Sequence, residues 1–148
     1  MNRGPSKQQP ALTAAVVFAD WLKQFEAAPQ ILVGFSGGLD STVLLHLLCE
    51  LLSPERITAV HIHHGLSDNA DDWQQHAKAL CHSLGVSLVT ESVVVNETGA
   101  GLESAARDAR YKVFEECLVE DGLLLLGHHA DDQVETVVFR LLRGSGAR

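Results

Sequence analysis

The chain has 148 residues, 46% of them hydrophobic, which suffices for one buried core of ordinary domain size. Eleven Lys and Arg stand against nineteen Asp and Glu, a formal charge of −8, which excludes a surface that binds polyanions without selectivity. Cys49, Cys81 and Cys117 lie far apart in apolar-periodic stretches and form no Cys-x-x-Cys pair. That argues against a zinc site, an iron–sulfur cluster or a disulfide framework, and for buried core thiols. With no signal peptide and no run of about 18 apolar residues, the chain reads as soluble and cytoplasmic, without a membrane partner.

Residues 1–10 are polar, hold Gly4, Pro5 and Pro10, and read as a disordered lead-in to a single domain over 11–148. A helix is predicted over 11–27 from Leu12, Ala15, Val16, Ala19, Leu22 and Phe25 at helical spacing, with Pro29 closing it. Strand and helix then alternate four times. Strands are expected over 31–36, 57–63, 87–95 and 123–128, and helices over 41–52, 71–84, 102–119 and 131–143. Near-continuous apolar strands such as Leu123-Leu124-Leu125-Leu126 imply a parallel sheet covered on both faces and joined by right-handed crossovers. The expected fold is therefore doubly wound α/β with strand order 3-2-1-4. Ligands of such folds bind beyond the carboxyl ends of the strands, which is where the chemistry-bearing segments of this chain fall.

The first of these follows Ile31-Leu32-Val33-Gly34-Phe35, where Ser36-Gly37-Gly38-Leu39-Asp40-Ser41 joins a strand to a helix. Gly37 and Gly38 are both expected to permit φ > 0 and a close backbone approach, while the helix aims N–H groups and its positive dipole end at the same spot. The ligand expected is an anion, carried by a nucleotide. The common Gly-x-x-x-x-Gly-Lys-Ser/Thr loop is absent, so no lysine follows the terminal phosphates. Asp40 stands there instead, and a carboxylate beside phosphates needs a hard cation between them, which points to Mg²⁺.

Three further constellations share that edge. Glu103, Arg107 and Arg110 fall within about 60° of one another at about 100° per residue, on a stripe continued by Phe114 and Cys117, and so are expected to face the core. Either the arginines reach phosphates with Glu103 orienting them, or an internal Glu–Arg pair positions the helix. At 128–136, Asp131 reads as a helix cap, while Asp132 and Glu135 share a helical face that suits a metal or an ammonium group and His128 suits a phosphate. His61, His63 and His64 end the second strand; hydrogen-bonded histidines shaping a nucleotide pocket are the reading preferred over a transition-metal site.

Ser-Gly-Gly-Leu-Asp-Ser at 36–41 resembles the pyrophosphate loop, or PP-loop, of ATP pyrophosphatases, which adenylate a substrate and hold the leaving pyrophosphate. His-Ile-His-His-Gly-Leu-Ser at 61–67, Glu-Ser-Ala-Ala-Arg-Asp-Ala-Arg-Tyr at 103–111, Gly-His-His-Ala-Asp-Asp-Gln-Val-Glu-Thr at 127–136 and Arg143-Gly144-Ser145-Gly146 extend the match. In that order these motifs resemble the tRNA(Ile)-lysidine synthetases. The resemblance implies a Rossmann-like three-layer α/β/α fold of the adenine nucleotide alpha hydrolase kind, and an ATP-dependent carbon–nitrogen ligase. ATP would adenylate the C2 oxygen of the wobble cytidine in CAU-anticodon tRNA(Ile), and L-lysine would displace AMP to leave lysidine.

Carried over by residue, the resemblance implies that Ser36, Gly37, Gly38, Leu39, Asp40 and Ser41 hold the phosphates and that Asp40 and Asp132 are Mg²⁺ candidates. It further implies that His128 assists phosphate activation and that Asp132 with Glu135 recognises lysine, so Asp132 is claimed twice; Asp40, Arg110, His128 and Asp132 are the catalytic candidates. The family continues past Arg-Gly-Ser-Gly with carboxyl-terminal domains that grip tRNA, so the sequence reads as cut short and these residues alone are not expected to turn over. A related tRNA thiolase would share the loop but would be expected to carry paired cysteines. A nucleotide-binding module without turnover is the other alternative.

Overall fold

The computed structural model describes residues 9–63, 69–94 and 101–127. Helix α1 (Gln9–Leu22) starts two residues before the expected 11, with Pro10 in a first turn where its missing N–H costs no hydrogen bond. It ends earlier than expected, tightening into a 3₁₀ turn at Lys23–Phe25, and the reason lies elsewhere in the chain. Arg56 Nη2 donates to the carbonyls of Phe25 (3.4 Å), Glu26 (3.0 Å) and Ala28 (2.9 Å), which a continuing helix would have used internally. Arg56→Ala should therefore lower stability by about 1–2 kcal/mol, read as a lower urea midpoint at unchanged slope.

The remaining elements are β1 (Ile31–Gly34), α2 (Leu39–Leu51), a 3₁₀ turn at Pro54–Arg56, β2 (Ile57–His63), α3 (Ala70–Leu84), β3 (Ser87–Ser92), α4 (Leu102–Cys117) and β4 (Leu123–Leu126). The strands form one sheet of order β3-β2-β1-β4, every neighbouring pair parallel, as the alternating pattern implied. The helix expected over 131–143 lies outside the described residues.

Side chains of successive strand residues point to opposite faces, and this divides the interior into two cores. Ile31, Val33, Phe35, Leu123 and Leu125 meet Leu22 of α1, Leu45 and Leu48 of α2, and Ala77 and Cys81 of α3. On the other face Leu32, Val60, Leu124 and Leu126 meet Val113, Phe114 and Leu118 at the end of α4. The division follows from crossover handedness. Two connections step from β1 outward to β3, and the third returns past β2 and β1 to β4, so a right-handed path must carry α4 over the opposite face. The reversal of direction falls at β1, where doubly wound folds place their ligands. Packing there is close: a Cβ on Gly34 would run into the side chains of Leu126 and Phe114. Among the described residues no helix is long and apolar enough to cross a membrane.

Candidate functional site

The main chain leaves β1 at Gly34, two residues before the expected strand end, although the Phe35 N–H still donates to the Val60 carbonyl at 2.8 Å. It then turns through Gly37, whose φ of 86° lies in the left-handed region that glycine alone enters freely. Gly38 differs from expectation: with φ −72° and ψ 171° it is extended backbone, serving as the N-cap of α2. Its carbonyl receives the Thr42 N–H (3.1 Å), the Thr42 hydroxyl (2.8 Å) and the Ser41 hydroxyl (3.1 Å), so the turn is tied to the first helical turn from below. Ser36 Oγ accepts the Gly38 N–H at 3.3 Å and lies 3.1 Å from Ser41 Oγ. Ser41 is buried and its hydroxyl is engaged within the loop, whereas Leu39 and Asp40 are exposed at the mouth of the turn.

Beside the turn a cleft of about 290 Å³ opens at the carboxyl ends of β1 and β2, bounded by Ser36, His61, His63, Trp73, Arg110 and Gly127 among others. That volume is near the lower end of ordinary small-molecule sites. His61 is buried, and its Nδ1–H donates to the Phe35 carbonyl at 2.9 Å, which fixes the ring against the start of the loop. His63 Nε2 stands 3.1 Å from Asp71 Oδ1, tying the end of β2 to the first turn of α3. Among the described residues no three His, Cys, Asp or Glu side chains come together to hold a metal ion.

Arg110 brings the full positive charge to the cleft, and no carboxylate lines it among the described residues. Among the described residues the Arg110 Nε, buried, has no hydrogen-bond partner. A buried guanidinium donor left unmatched costs free energy until an anion or another acceptor completes it.

The rest of the expected charged stripe is not core-facing: Glu103 and Arg107 are exposed, and they form no ion pair with each other. Arg107 instead lies 5.6 Å from the centre of the Tyr111 ring. The cause is position along the helix. Phe114 packs at Gly34, Arg110 sits one turn back at the cleft, and Arg107 and Glu103 lie successively further toward the amino end of α4.

A family model described as a PP-loop domain matches residues 11–148. The chain belongs to the PP-loop family. Among curated proteins it is 55% identical over 119 residues to the tRNA(Ile)-lysidine synthase of Pseudomonas syringae pv. tomato, covering 78% of this chain and 26% of that protein. It is 43% identical over 137 residues to the tRNA(Ile)-lysidine synthase of Legionella pneumophila strain Paris, covering 91% of this chain and 31% of that protein. The chain thus spans between a quarter and a third of the length of these relatives.

Solved structures extend the likeness of fold. The NH3-dependent NAD synthetase of Campylobacter jejuni superposes with a TM-score of 0.60 at 18% identity, covering 84% of this chain and 58% of that one. The U34-tRNA thiolase of Methanococcus maripaludis, with its [4Fe-4S] cluster, gives a TM-score of 0.52 at 18% identity, covering 81% of this chain and 48% of that one. The PP-loop sheet with helices on both faces is the adenine nucleotide alpha hydrolase fold that the motifs implied, and membership implies ATP use.

Of the residues read from the sequence, Ser36, Gly37 and Gly38 form the turn, Leu39, Asp40 and Ser41 open α2 directly after it, and Arg110 lines the cleft beside them. His64, His128, Asp131, Asp132 and Glu135 lie outside the described residues. The cysteines fit the core reading: Cys81 is buried, Cys49 and Cys117 are half-buried, and none lines the cleft. Burial pushes the Cys81 thiol up to about 11, with Cys49 adding to the rise, and burial likewise raises Cys49 and Cys117.

Trp73 is the PP-loop neighbour that sequence reasoning missed. Its signal was present, because Trp73 lies four residues before Ala77 and eight before Cys81, on the stripe that α3 buries. The stripe runs one turn past the end of the sheet, and its last member reaches the turn after β1.

Proposed function

We propose that this chain binds ATP with Mg²⁺ in the cleft and is the adenylating portion of a tRNA(Ile)-lysidine synthase. The observation that carries the reading is the pairing of a lysine-free glycine turn, opening α2, with a buried Arg110 donor in a cleft free of carboxylates among the described residues. Both features call for an anion larger than one phosphate, and the curated relatives supply the substrate class. The exposed Asp40 suits Mg²⁺, which keeps several waters and takes one or two carboxylates together with phosphate oxygens. Bound there with Asp40 and Asp132, the ion would offset phosphate charge and strengthen pyrophosphate as a leaving group.

The chain's own groups account for the rest. The first turn of α2 directs N–H groups and the positive end of its dipole at the leaving pyrophosphate, and Arg110 adds a fixed positive charge, so charge that develops on leaving is met without reorganisation. The C2 oxygen of the wobble cytidine attacks the α-phosphorus and pyrophosphate departs. Lysine then attacks C2 and AMP departs with the bonding pair. His128 assists at the phosphates, and Asp132 with Glu135 receives lysine.

A tRNA thiolase is supported less well, since the three thiols sit on three different helices and are held protonated by burial. The charge of −8 supports a grip on CAU-anticodon tRNA that is made largely outside these residues, and tRNA binding by this chain should be weak and lost early in a salt titration.

Calorimetric titration tests the ATP assignment: saturable binding that weakens when Mg²⁺ is omitted, and a loss of about tenfold for Asp40→Ala only when Mg²⁺ is present. Equal affinity with and without the ion would remove Asp40 from the metal. Transfer of labelled lysine to CAU-anticodon tRNA by the sequence extended to the length of its relatives tests the reaction, and sulfur transfer in its place would overturn it.

A further inference from the structure

We infer that Trp73 is the positioning residue of the anion-binding turn, packing against it at Gly37. The inference rests on the reading of Ser36–Ser41 as a phosphate site and extends it to a residue on another element.

Gly37 is buried although it belongs to a surface turn, and the indole covers it. A Cβ placed on Gly37 would lie 2.9 Å from Cε3 and 3.5 Å from Cζ3 of Trp73, so ring and turn are in contact and glycine alone leaves the space. The turn is also held by hydrogen bonds among Ser36 Oγ, Ser41 Oγ, the Gly38 N–H and the Gly38 carbonyl. The backbone around Gly37 is thus held by a hydroxyl cluster and covered by an aromatic ring.

The ring is itself anchored. The Trp73 main-chain N–H closes the first turn of its helix α3 on the Asn69 carbonyl at 3.1 Å, His76 meets the indole edge-on at 6.4 Å between centroids, and Ala77 and Cys81 root the same stripe in the core. Nevertheless Trp73 remains 46% exposed, far more than packing requires of a large aromatic side chain. An indole left that open while pressed on a glycine acts on the backbone it covers. By restricting φ at Gly37 before ligand arrives, it reduces the conformational entropy lost on binding.

The two tryptophans are separable, because Trp21 packs on Phe18 and Phe25 at 5.8 Å and 4.8 Å on α1. In a Trp21→Phe background the remaining indole should change its emission saturably with inorganic pyrophosphate and Mg²⁺. Trp73→Ala should weaken pyrophosphate and ATP by the same factor, about tenfold, at nearly unchanged far-UV dichroism and melting temperature, and Trp73→Phe should recover to within about threefold. Gly37→Ala should cost less affinity when combined with Trp73→Ala than the two single losses predict, because the ring it would strike is gone.

Loss of adenosine affinity with pyrophosphate affinity intact would make Trp73 a base platform and overturn the inference. So would unchanged affinities in Trp73→Ala, or an indole emission blind to pyrophosphate. Wild-type chain that binds neither pyrophosphate nor ATP would overturn the nucleotide reading itself, and the inference with it.

Discussion

Gly37→Val should weaken ATP binding on the order of a hundredfold while leaving the sheet folded. Two independent penalties meet at this residue. At φ 86° a β-branched side chain is strained by about 1–3 kcal/mol, and its Cβ would also strike the Trp73 ring at 2.9 Å. The strain is relieved by moving the turn, since β1 is held by ladders on both sides and cannot give way. The N–H groups that open α2 then lose their alignment, and affinity should fall on the order of a hundredfold for a displacement of about 1 Å. Gly38→Ala is the matched contrast. Its backbone is extended and the added Cβ meets only Ser36 Oγ at 3.4 Å, so ATP affinity should stay within about threefold. Titration of both variants beside far-UV dichroism checks the pair, and equal losses in the two would remove Gly37 from its special place.

Arg110→Met should trade the other way, lowering ATP affinity by about 10- to 100-fold without lowering the melting temperature. Methionine keeps most of the apolar stem beside Phe114 and removes a buried Nε that has no partner among the described residues. Its removal therefore relieves a desolvation cost in the absence of ligand and forfeits a charge-assisted bond in its presence. A falling melting temperature at intact ATP affinity would show that Arg110 serves the fold.

The turn after β1 was legible because every level of the sequence agreed there: an apolar run, two glycines, then a helical period. The strand order was equally legible, since right-handed crossovers leave few arrangements of four alternating units. What failed was finer. Residue type shows that Gly37 and Gly38 permit positive φ, but only the hydroxyls that converge on the Gly38 carbonyl decide which of the two uses it. The helical period correctly grouped Glu103 with Arg110, yet it carries no information on where the sheet beneath α4 stops, so two of three charges proved exposed. Trp73 escaped notice for the same reason: a stripe residue past the sheet's end leaves the core and enters the site.

The central position of β1 has a consequence for how such a site can change. Ile31, Leu32 and Val33 are wholly buried, and the strand is paired along its length with both β2 and β4, so a slip of one residue would exchange the two interior faces and cost the fold. The floor of the cleft is therefore immutable by small steps. Its walls are not, because Trp73 comes from α3 and Arg110 from α4, each on a separate layer and each replaceable without disturbing a ladder. Changes in how strongly this site binds should thus arise by substitution on those two helices, while the strand that carries the turn stays as it is.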